Sequence, residues 1–324
     1  MSNPLKILVS RRWPEAVETK LRALGEVTLN EADQALSQAE LSQALTDYDV
    51  ICPTVTDRFD ADVFQAEGIR TRLLANFGVG FNHIDLSATR RLGIAVSNTP
   101  GVLTAATAEI ALTLILMTAR RAAEGERHVR GGQWQGWSPT HMLSTQVSGG
   151  VLGIVGMGRI GQAVARMAFH GLGMQIMYTS RSPLAESVAR ELSATRLPLA
   201  ELLGAADFIS LHCPATPETR HLINPETLAL MQSHAFLINT ARGDIVDEAA
   251  LLAALRNGQI AGAGLDVYEH EPQLQPGLEA LEQVVLLPHM GSGTQQTREA
   301  MGMRALRNIE AFAAGQALPD EVKP

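Results

Sequence analysis

The stretch Val151-Leu152-Gly153-Ile154-Val155-Gly156-Met157-Gly158-Arg159-Ile160-Gly161 passes from an apolar run into Gly-x-Gly-x-x-Gly, then into Gln162-Ala163-Val164-Ala165-Arg166-Met167-Ala168, which has helical character. Each glycine has its own task. Gly156 permits a tight turn, Gly158 lets a ligand approach the backbone, and Gly161 lets the helix pack closely on the strand. The helix N-terminus then favours an anion. The segment therefore predicts a strand-turn-helix unit of a doubly wound parallel sheet, holding the pyrophosphate of a dinucleotide. The motif alone is weak evidence, so its surroundings carry the argument.

A second strand-like run, Met174-Gln175-Ile176-Met177-Tyr178-Thr179, ends where such a fold usually places an acidic residue against the ribose diol. Here that place is taken by Ser180-Arg181-Ser182. One guanidinium and two hydroxyls suit a 2′-phosphate, so NADP(H) is the expected cofactor and NAD(H) the alternative. The plainer reading of Arg181 is a surface arginine at a strand end.

The 324 residues suffice for two domains, and 46% hydrophobic with 19% charged residues describe an ordinary globular protein. A net charge of −8 argues against nucleic acid or an anionic membrane as a main partner. The start, Met1-Ser2-Asn3-Pro4-Leu5-Lys6, has no long apolar signal core, and a cytoplasmic location is expected. Cys52 and Cys213 form no disulfide framework and read as buried structural thiols. The longest apolar stretch, Ala105 to Ala119, is too short to span a bilayer and contains Glu109, so it reads as a buried helix. No metal site is expected.

Before the glycine turn, Ile7-Leu8-Val9, Val50-Ile51-Cys52, Leu73-Leu74-Ala75 and Ile94-Ala95-Val96 read as four strands of a small α/β unit. Asn98-Thr99-Pro100-Gly101 is a turn signal and the first hinge, followed by one long helix from Thr104 to Ala122. Six further strands are expected near 151–155, 175–179, 207–211, 235–240, 262–267 and 284–287. A last helix from about Thr297 to Ala314 can close the first core. The expected division is a discontinuous substrate-binding domain, 1–100 plus 290–324, and a dinucleotide-binding domain, 101–289, with a cleft between them that closes to exclude water.

In an open parallel sheet, ligands bind beyond the carboxyl ends of the strands. Three expected strands end usefully: Phe236 to Thr240 leads to Arg242, Gly264 to Tyr268 leads to Glu271, and Val284 to Pro288 leads to His289. That trio suits reduction of a 2-keto acid. Arg242 can take the carboxylate and polarise the keto oxygen, His289 can give that oxygen a proton, and Glu271 can keep the imidazole protonated and oriented. Each residue alone has an equally plain structural reading; together they favour chemistry. His212, His221, His234 and His270 lack such neighbours and read as structural or surface residues.

Asp266 also ends a strand, where its carboxylate could meet a nicotinamide carboxamide or merely cap a turn. The loop Asn76-Phe77-Gly78-Val79-Gly80-Phe81-Asn82-His83-Ile84-Asp85 can offer successive backbone amides to a substrate carboxylate, or be only a tight turn.

Taken together, these residues resemble the D-isomer-specific 2-hydroxyacid dehydrogenases, and among them the glyoxylate/hydroxypyruvate reductases. The resemblance runs through the Phe77–Asp85 loop, Asn98-Thr99-Pro100-Gly101, Thr107-Ala108-Glu109, the Gly156 turn, Leu211-His212-Cys213-Pro214, Ile238-Asn239-Thr240-Ala241-Arg242-Gly243, Gly264-Leu265-Asp266-Val267 and Pro288-His289. It implies an α/β chain of two Rossmann-like or flavodoxin-like domains. Arg242, Glu271 and His289 would be catalytic, and the amides of Val79 and Gly80, with Arg242, would hold the substrate. To the cofactor it assigns Thr107, Gly156, Gly158, Arg159, Ile160, Gly161, Ser180, Arg181, Ser182, Cys213, Pro214, Thr240, Ala241, Asp266, His289 and Gly291. A homodimer is implied too, with Trp137, rather than Trp134, reaching the partner's active site and contacting substrate.

The expected activity is NADPH-dependent reduction of glyoxylate or hydroxypyruvate to glycolate or D-glycerate. A bulkier 2-keto acid or NAD dependence is the enzymatic alternative, and a nucleotide-sensing binding protein is the alternative from another class, disfavoured by the intact Arg, Glu and His. Ser144, Gly149-Gly150 and Met290-Gly291-Ser292-Gly293 depart from the family's usual residues, and the loop around 140–146 could alter substrate preference.

Overall fold

The computed structural model describes residues 4–323. They fall into two compact units, one formed by residues up to 103 with those from 292 onward, the other by 104–291.

In the first unit the elements are β1 (Leu5–Val9), α1 (Glu15–Leu21), β2 (Gly25–Leu29), α2 (Gln38–Asp47), β3 (Val50–Cys52), β4 (Leu73–Ala75), α3 (Leu86–Arg91) and β5 (Ala95–Ser97). They build a parallel sheet in the order β2-β1-β3-β4-β5. β3 and β4 are buried throughout, as central parallel strands covered on both faces must be. β2 adds a fifth strand to the four expected. Its sequence, Gly-Glu-Val-Thr-Leu, lies at the sheet edge with every residue at least partly accessible, so no continuous apolar run announces it. The C-terminal helix, Gln295–Ala313, returns to this unit, where Met301, Ala305, Leu306 and Ile309 pack among Ile7, Val9, Val17 and Leu21.

The second unit begins with α4 (Thr104–Ala119) and α5 (Ala122–Arg130). The single helix expected over 104–122 is thus broken. Arg121 adopts the left-handed region at φ 52°, and its guanidinium is drawn to Glu124 at 2.7 Å and to the carbonyl of Leu143 at 3.1 Å. There follow β6 (Val151–Val155), α6 (Arg159–Leu172), β7 (Gln175–Thr179), α7 (Glu186–Glu191), β8 (Thr195–Arg196), α8 (Leu199–Ala205), β9 (Phe208–Leu211), α9 (Pro225–Leu228), β10 (Phe236–Asn239), α10 (Glu248–Arg256), β11 (Gly262–Leu265) and β12 (Val284–Leu286). The sheet is parallel with order β12-β11-β10-β9-β6-β7-β8. Seven strands replace the expected six because β8, two exposed residues long, pairs with β7 and carries no hydrophobic pattern to reveal it.

Alternation along each strand sends side chains to opposite faces. Leu152, Ile154 and Ile238 join α4 and α6 in one core layer, while Val155, Leu211, Leu237 and Leu265 join α8 and α10 in the other. Phe208 and Phe236, paired across β9 and β10, stack at 5.4 Å between ring centroids. Strand order reverses between β6 and β9, and the crevice beyond their carboxyl ends is where a doubly wound sheet binds ligands.

Candidate active site

At that reversal the chain turns at Gly156, whose φ of 97° belongs to glycine, and whose missing Cβ would lie 2.5 Å from the backbone nitrogen of Cys213. Gly161 packs against the carbonyl of Gly156 with no room for a side chain. Gly158 is the N-cap of α6, and Arg159 and Ile160 open its first turn. A Cβ on Gly158 would meet nothing within 4 Å. The opening amides of α6 lack intrahelical acceptors, so open space over Gly158 faces a helix terminus suited to a pyrophosphate. These residues fit a dinucleotide.

Beyond β7, Ser180 Oγ donates to the carbonyl of Ser182 at 2.6 Å, and Arg181 is exposed. On the far side, the Cys213 thiol is free and pushed up to about 11 by burial, and the carbonyl of Pro214 accepts from Thr219 Oγ1 at 2.7 Å.

The three charged strand-end residues meet in this unit. His289 Nδ1 and Glu271 Oε2 are 2.7 Å apart. Burial raises the Glu271 carboxyl, but the hydrogen bond and charge of His289, the N–H of Tyr268 and the charge of Arg242 outweigh it and hold the carboxyl below its ordinary range. Burial lowers the Arg242 guanidinium from its ordinary value, opposed by Glu271 and Asp244. Arg242 Nη1 donates to the carbonyl of Ala241 at 2.6 Å. Asn239 braces the same turn, donating from Nδ2 to the carbonyl of Arg242 at 2.8 Å and accepting the Ala241 N–H at 3.0 Å. Thr240 Oγ1 is buried without a hydrogen-bond partner among the described residues.

His289 itself sits at φ 52°, in the left-handed region that costs a non-glycine residue energy. Asp266 supports it from below. Its two carboxylate oxygens accept the N–H groups of Met290 at 2.7 Å and Gly291 at 2.8 Å, and burial raises its pKa. Thr107 lies against the same corner, its Cγ2 3.4 Å from where a Cβ on Gly291 would stand. The carboxylate thus caps the turn after His289, and its oxygens keep further lone pairs for a ligand.

Sequence reasoning passed over Tyr268. Its hydroxyl donates to the carbonyl of Leu287 at 2.7 Å and its N–H to Glu271 Oε1 at 3.0 Å, tying the Glu271 turn to the segment that leads into His289. An aromatic at a strand end carries no signal for such a role until the loops are placed.

In the other unit, Asn76 is fully buried and donates from Nδ2 to the carbonyls of Gly78 at 3.2 Å and Gly80 at 2.9 Å, while Asn98 Nδ2 donates to the carbonyl of Val79 at 2.8 Å. His83 Nε2 stands 3.1 Å from Asn76 Oδ1. With three successive carbonyls clamped, the N–H groups of Val79 and Gly80 donate to no acceptor among the described residues. That arrangement can take a carboxylate.

Three other histidines are otherwise engaged. His212 directly follows β9 but is bonded through Nε2 to Ser210 Oγ at 2.8 Å; His221 pairs with Glu269 at 2.7 Å and His234 with Asp207 at 2.8 Å. Trp137 stands 81% exposed in the 131–150 stretch, which forms neither helix nor strand. Among the described residues no cluster of metal-ligating side chains is present, and no helix is long and apolar enough to cross a membrane.

A family model described as "D-isomer specific 2-hydroxyacid dehydrogenase, NAD binding domain" matches residues 112–291. The glyoxylate reductase of Thermococcus onnurineus is 45% identical over 318 residues, 97% of this chain and 94% of that protein. The chain belongs to the D-isomer specific 2-hydroxyacid dehydrogenases. Two solved structures extend the likeness. The glyoxylate reductase of Paecilomyes thermophila is 31% identical with a TM-score of 0.88, covering 99% of both chains. The NADPH-dependent glyoxylate/hydroxypyruvate reductase of Sinorhizobium meliloti, in complex with NADP and malonate, is 33% identical with a TM-score of 0.87, covering 99% of this chain and 97% of that one. This member of the family is an NAD(P)-binding oxidoreductase with a two-domain Rossmann-like fold that reduces a 2-keto acid.

Proposed function

We propose that the enzyme is an NADPH-dependent reductase of glyoxylate and hydroxypyruvate, yielding glycolate and D-glycerate, with His289 as general acid. The pairing of His289 with a Glu271 held ionised carries this reading. A carboxylate hydrogen-bonded to Nδ1 orients the ring and leaves Nε2–H to serve the keto oxygen. Arg242 takes the substrate carboxylate and polarises the carbonyl, while the amides of Val79 and Gly80 supply further donors to the carboxylate. The bound dinucleotide supplies the hydride. His289 would give the carbonyl oxygen its proton, and the reverse reaction needs that imidazole neutral as the base.

Gly156, Gly158, Arg159, Ile160 and Gly161 would hold the pyrophosphate; Ser180, Arg181 and Ser182 the 2′-phosphate; Cys213 and Pro214 the neighbouring wall. Thr107, Thr240, Ala241, Asp266 and Gly291 would surround the nicotinamide. The S. meliloti relative, described as NADPH-dependent, supports the cofactor choice. We further propose a homodimer in the cytoplasm, with Trp137 covered by the second copy, where it supplies an apolar contact to substrate. Its 81% exposure, with Val129, Trp134 and Leu143 exposed in neighbouring segments of the sequence, supports this reading. Residues 1–100 with 290–324 would bind substrate and 101–289 the cofactor.

Steady-state kinetics on glyoxylate, hydroxypyruvate and bulkier 2-keto acids, each with NADPH and NADH, tests the reading. The expected result is the highest kcat/KM for a small acid with NADPH. Preference for NADH or for a bulky acid overturns it.

A further inference from the structure

Arg196 was not among the residues singled out by the sequence, because nothing marks Thr195-Arg196 as a strand. In the fold it is β8, with Arg196 registered directly opposite Tyr178, two residues before Ser180. Its Nη2 donates to the carbonyls of Ser180 at 2.7 Å and Arg181 at 3.0 Å. The loop after β7 is closed further by the N–H of Leu184 donating to Tyr178 Oη at 3.1 Å and by Ser180 Oγ on the carbonyl of Ser182. One guanidinium thus draws two successive carbonyl oxygens to itself, where they would otherwise present partial negative charge to an approaching phosphate. Its Nε and Nη1 donate to no acceptor among the described residues, and the Arg181 guanidinium makes no hydrogen bond among them either.

We propose that Arg196 is a specificity-determining residue for the 2′-phosphate form of the dinucleotide. It turns the Ser180 and Arg181 carbonyls away from the phosphate and adds a second positive charge beside Arg181. The inference rests on the NADP reading above and deepens it. Two guanidinium groups set against a phosphate form charge-assisted hydrogen bonds, and the remaining donors of Arg196 have the planar fork that phosphate oxygens match. The nearby acid is Glu218. Hydrogen bonds from Thr216 and from the backbone, then the charge of Arg181, keep its carboxyl below the ordinary range.

The experiment is calorimetric titration of the intact protein with adenosine 2′,5′-bisphosphate and with adenosine 5′-monophosphate, repeated on Arg196→Met and Arg196→Lys. Arg196 is exposed, so both variants keep the core intact. In the wild type the 2′-phosphate ligand binds more tightly. Arg196→Met lowers its affinity roughly tenfold or more while changing the monophosphate by about twofold or less, and Arg196→Lys, with charge but no fork, falls between them. Parallel loss of both ligands would reduce Arg196 to a structural tether, and undiminished discrimination in Arg196→Met would remove it from specificity altogether; either result overturns the inference. A wild type that binds both ligands equally overturns the NADP reading itself, a failure distinct from the other two.

Discussion

Glu271 Oε2 lies 2.7 Å from His289 Nδ1, and the two residues arrive from different strand ends, one after β11 and one after β12. The contact fixes which face of the imidazole remains for chemistry. It is held from both sides: the Tyr268 hydroxyl grips the carbonyl of Leu287, and Asp266 caps the amides of Met290 and Gly291.

Replacing His289 by Ala removes the proton donor and leaves the glycine turn untouched. The kcat for glyoxylate reduction should fall roughly 10²- to 10⁴-fold, the range that a positioned general acid contributes. Fluorescence titration should find cofactor affinity within about threefold of wild type. Retained turnover would end the assignment of His289 as the acid.

The Glu271 carboxyl is depressed, which sets a sign for pH. A carboxylate whose folded pKa lies below its unfolded value stabilises the fold above the ordinary carboxylate range, and that contribution disappears as pH falls through the depressed value. The carboxylate therefore stays ionised to lower pH than an ordinary carboxyl. Glu271→Gln keeps the shape and discards the charge. Its kcat should drop about tenfold or more, by an amount that varies with pH because only the wild type carries the carboxylate. Matching kcat-pH profiles for wild type and variant would show that the charge plays no part.

Much of this site was legible because its residues stand immediately after apolar strands. Arg242, Glu271 and His289 could be placed at one edge because each follows the carboxyl end of an expected strand, and the Gly156 turn announced itself by glycine spacing. What escaped notice acts through backbone atoms. Asn76 and Asn98 clamp carbonyls, Tyr268 joins two loops, and Arg196 reaches back from a two-residue strand. Such contacts depend on which segments become neighbours, information that periodicity does not hold. Edge strands β2 and β8 were lost for a related reason, since partial exposure erases the apolar run that identifies a buried strand.

Two glycines of the turn should separate stability from binding. At Gly156, φ is 97° and an added Cβ would press on Cys213 nitrogen at 2.5 Å, so Gly156→Ala should cost about 1–3 kcal/mol and weaken cofactor binding together. At Gly158 the protein offers no obstacle within 4 Å, so Gly158→Ala should change stability by only about 0.5 kcal/mol or less while lowering dinucleotide affinity about tenfold. Denaturant unfolding and cofactor titration on the same two variants check both halves. A Gly158→Ala protein that binds as well as wild type would mean that no ligand passes over that residue.

His212 gives the fold an acid-sensitive point outside the proposed chemistry. Burial lowers its pKa from 6.5 to about 4, with Nε2 held 2.8 Å from Ser210 Oγ. Here the folded state resists a proton that the unfolded chain accepts. Above pH 6.5 both states are neutral and the residue has no effect; as pH falls from 6.5 to about 4, protonation of the unfolded chain draws stability away, and below that the loss levels off. The loss over that window is on the order of 1–3 kcal/mol. His212→Gln cannot take up the proton, so its melting temperature should decline less steeply than that of wild type across the same window. Equal slopes in thermal scans at pH 7, 6, 5 and 4 would mean that His212 titrates alike in both states and that the acid sensitivity lies elsewhere.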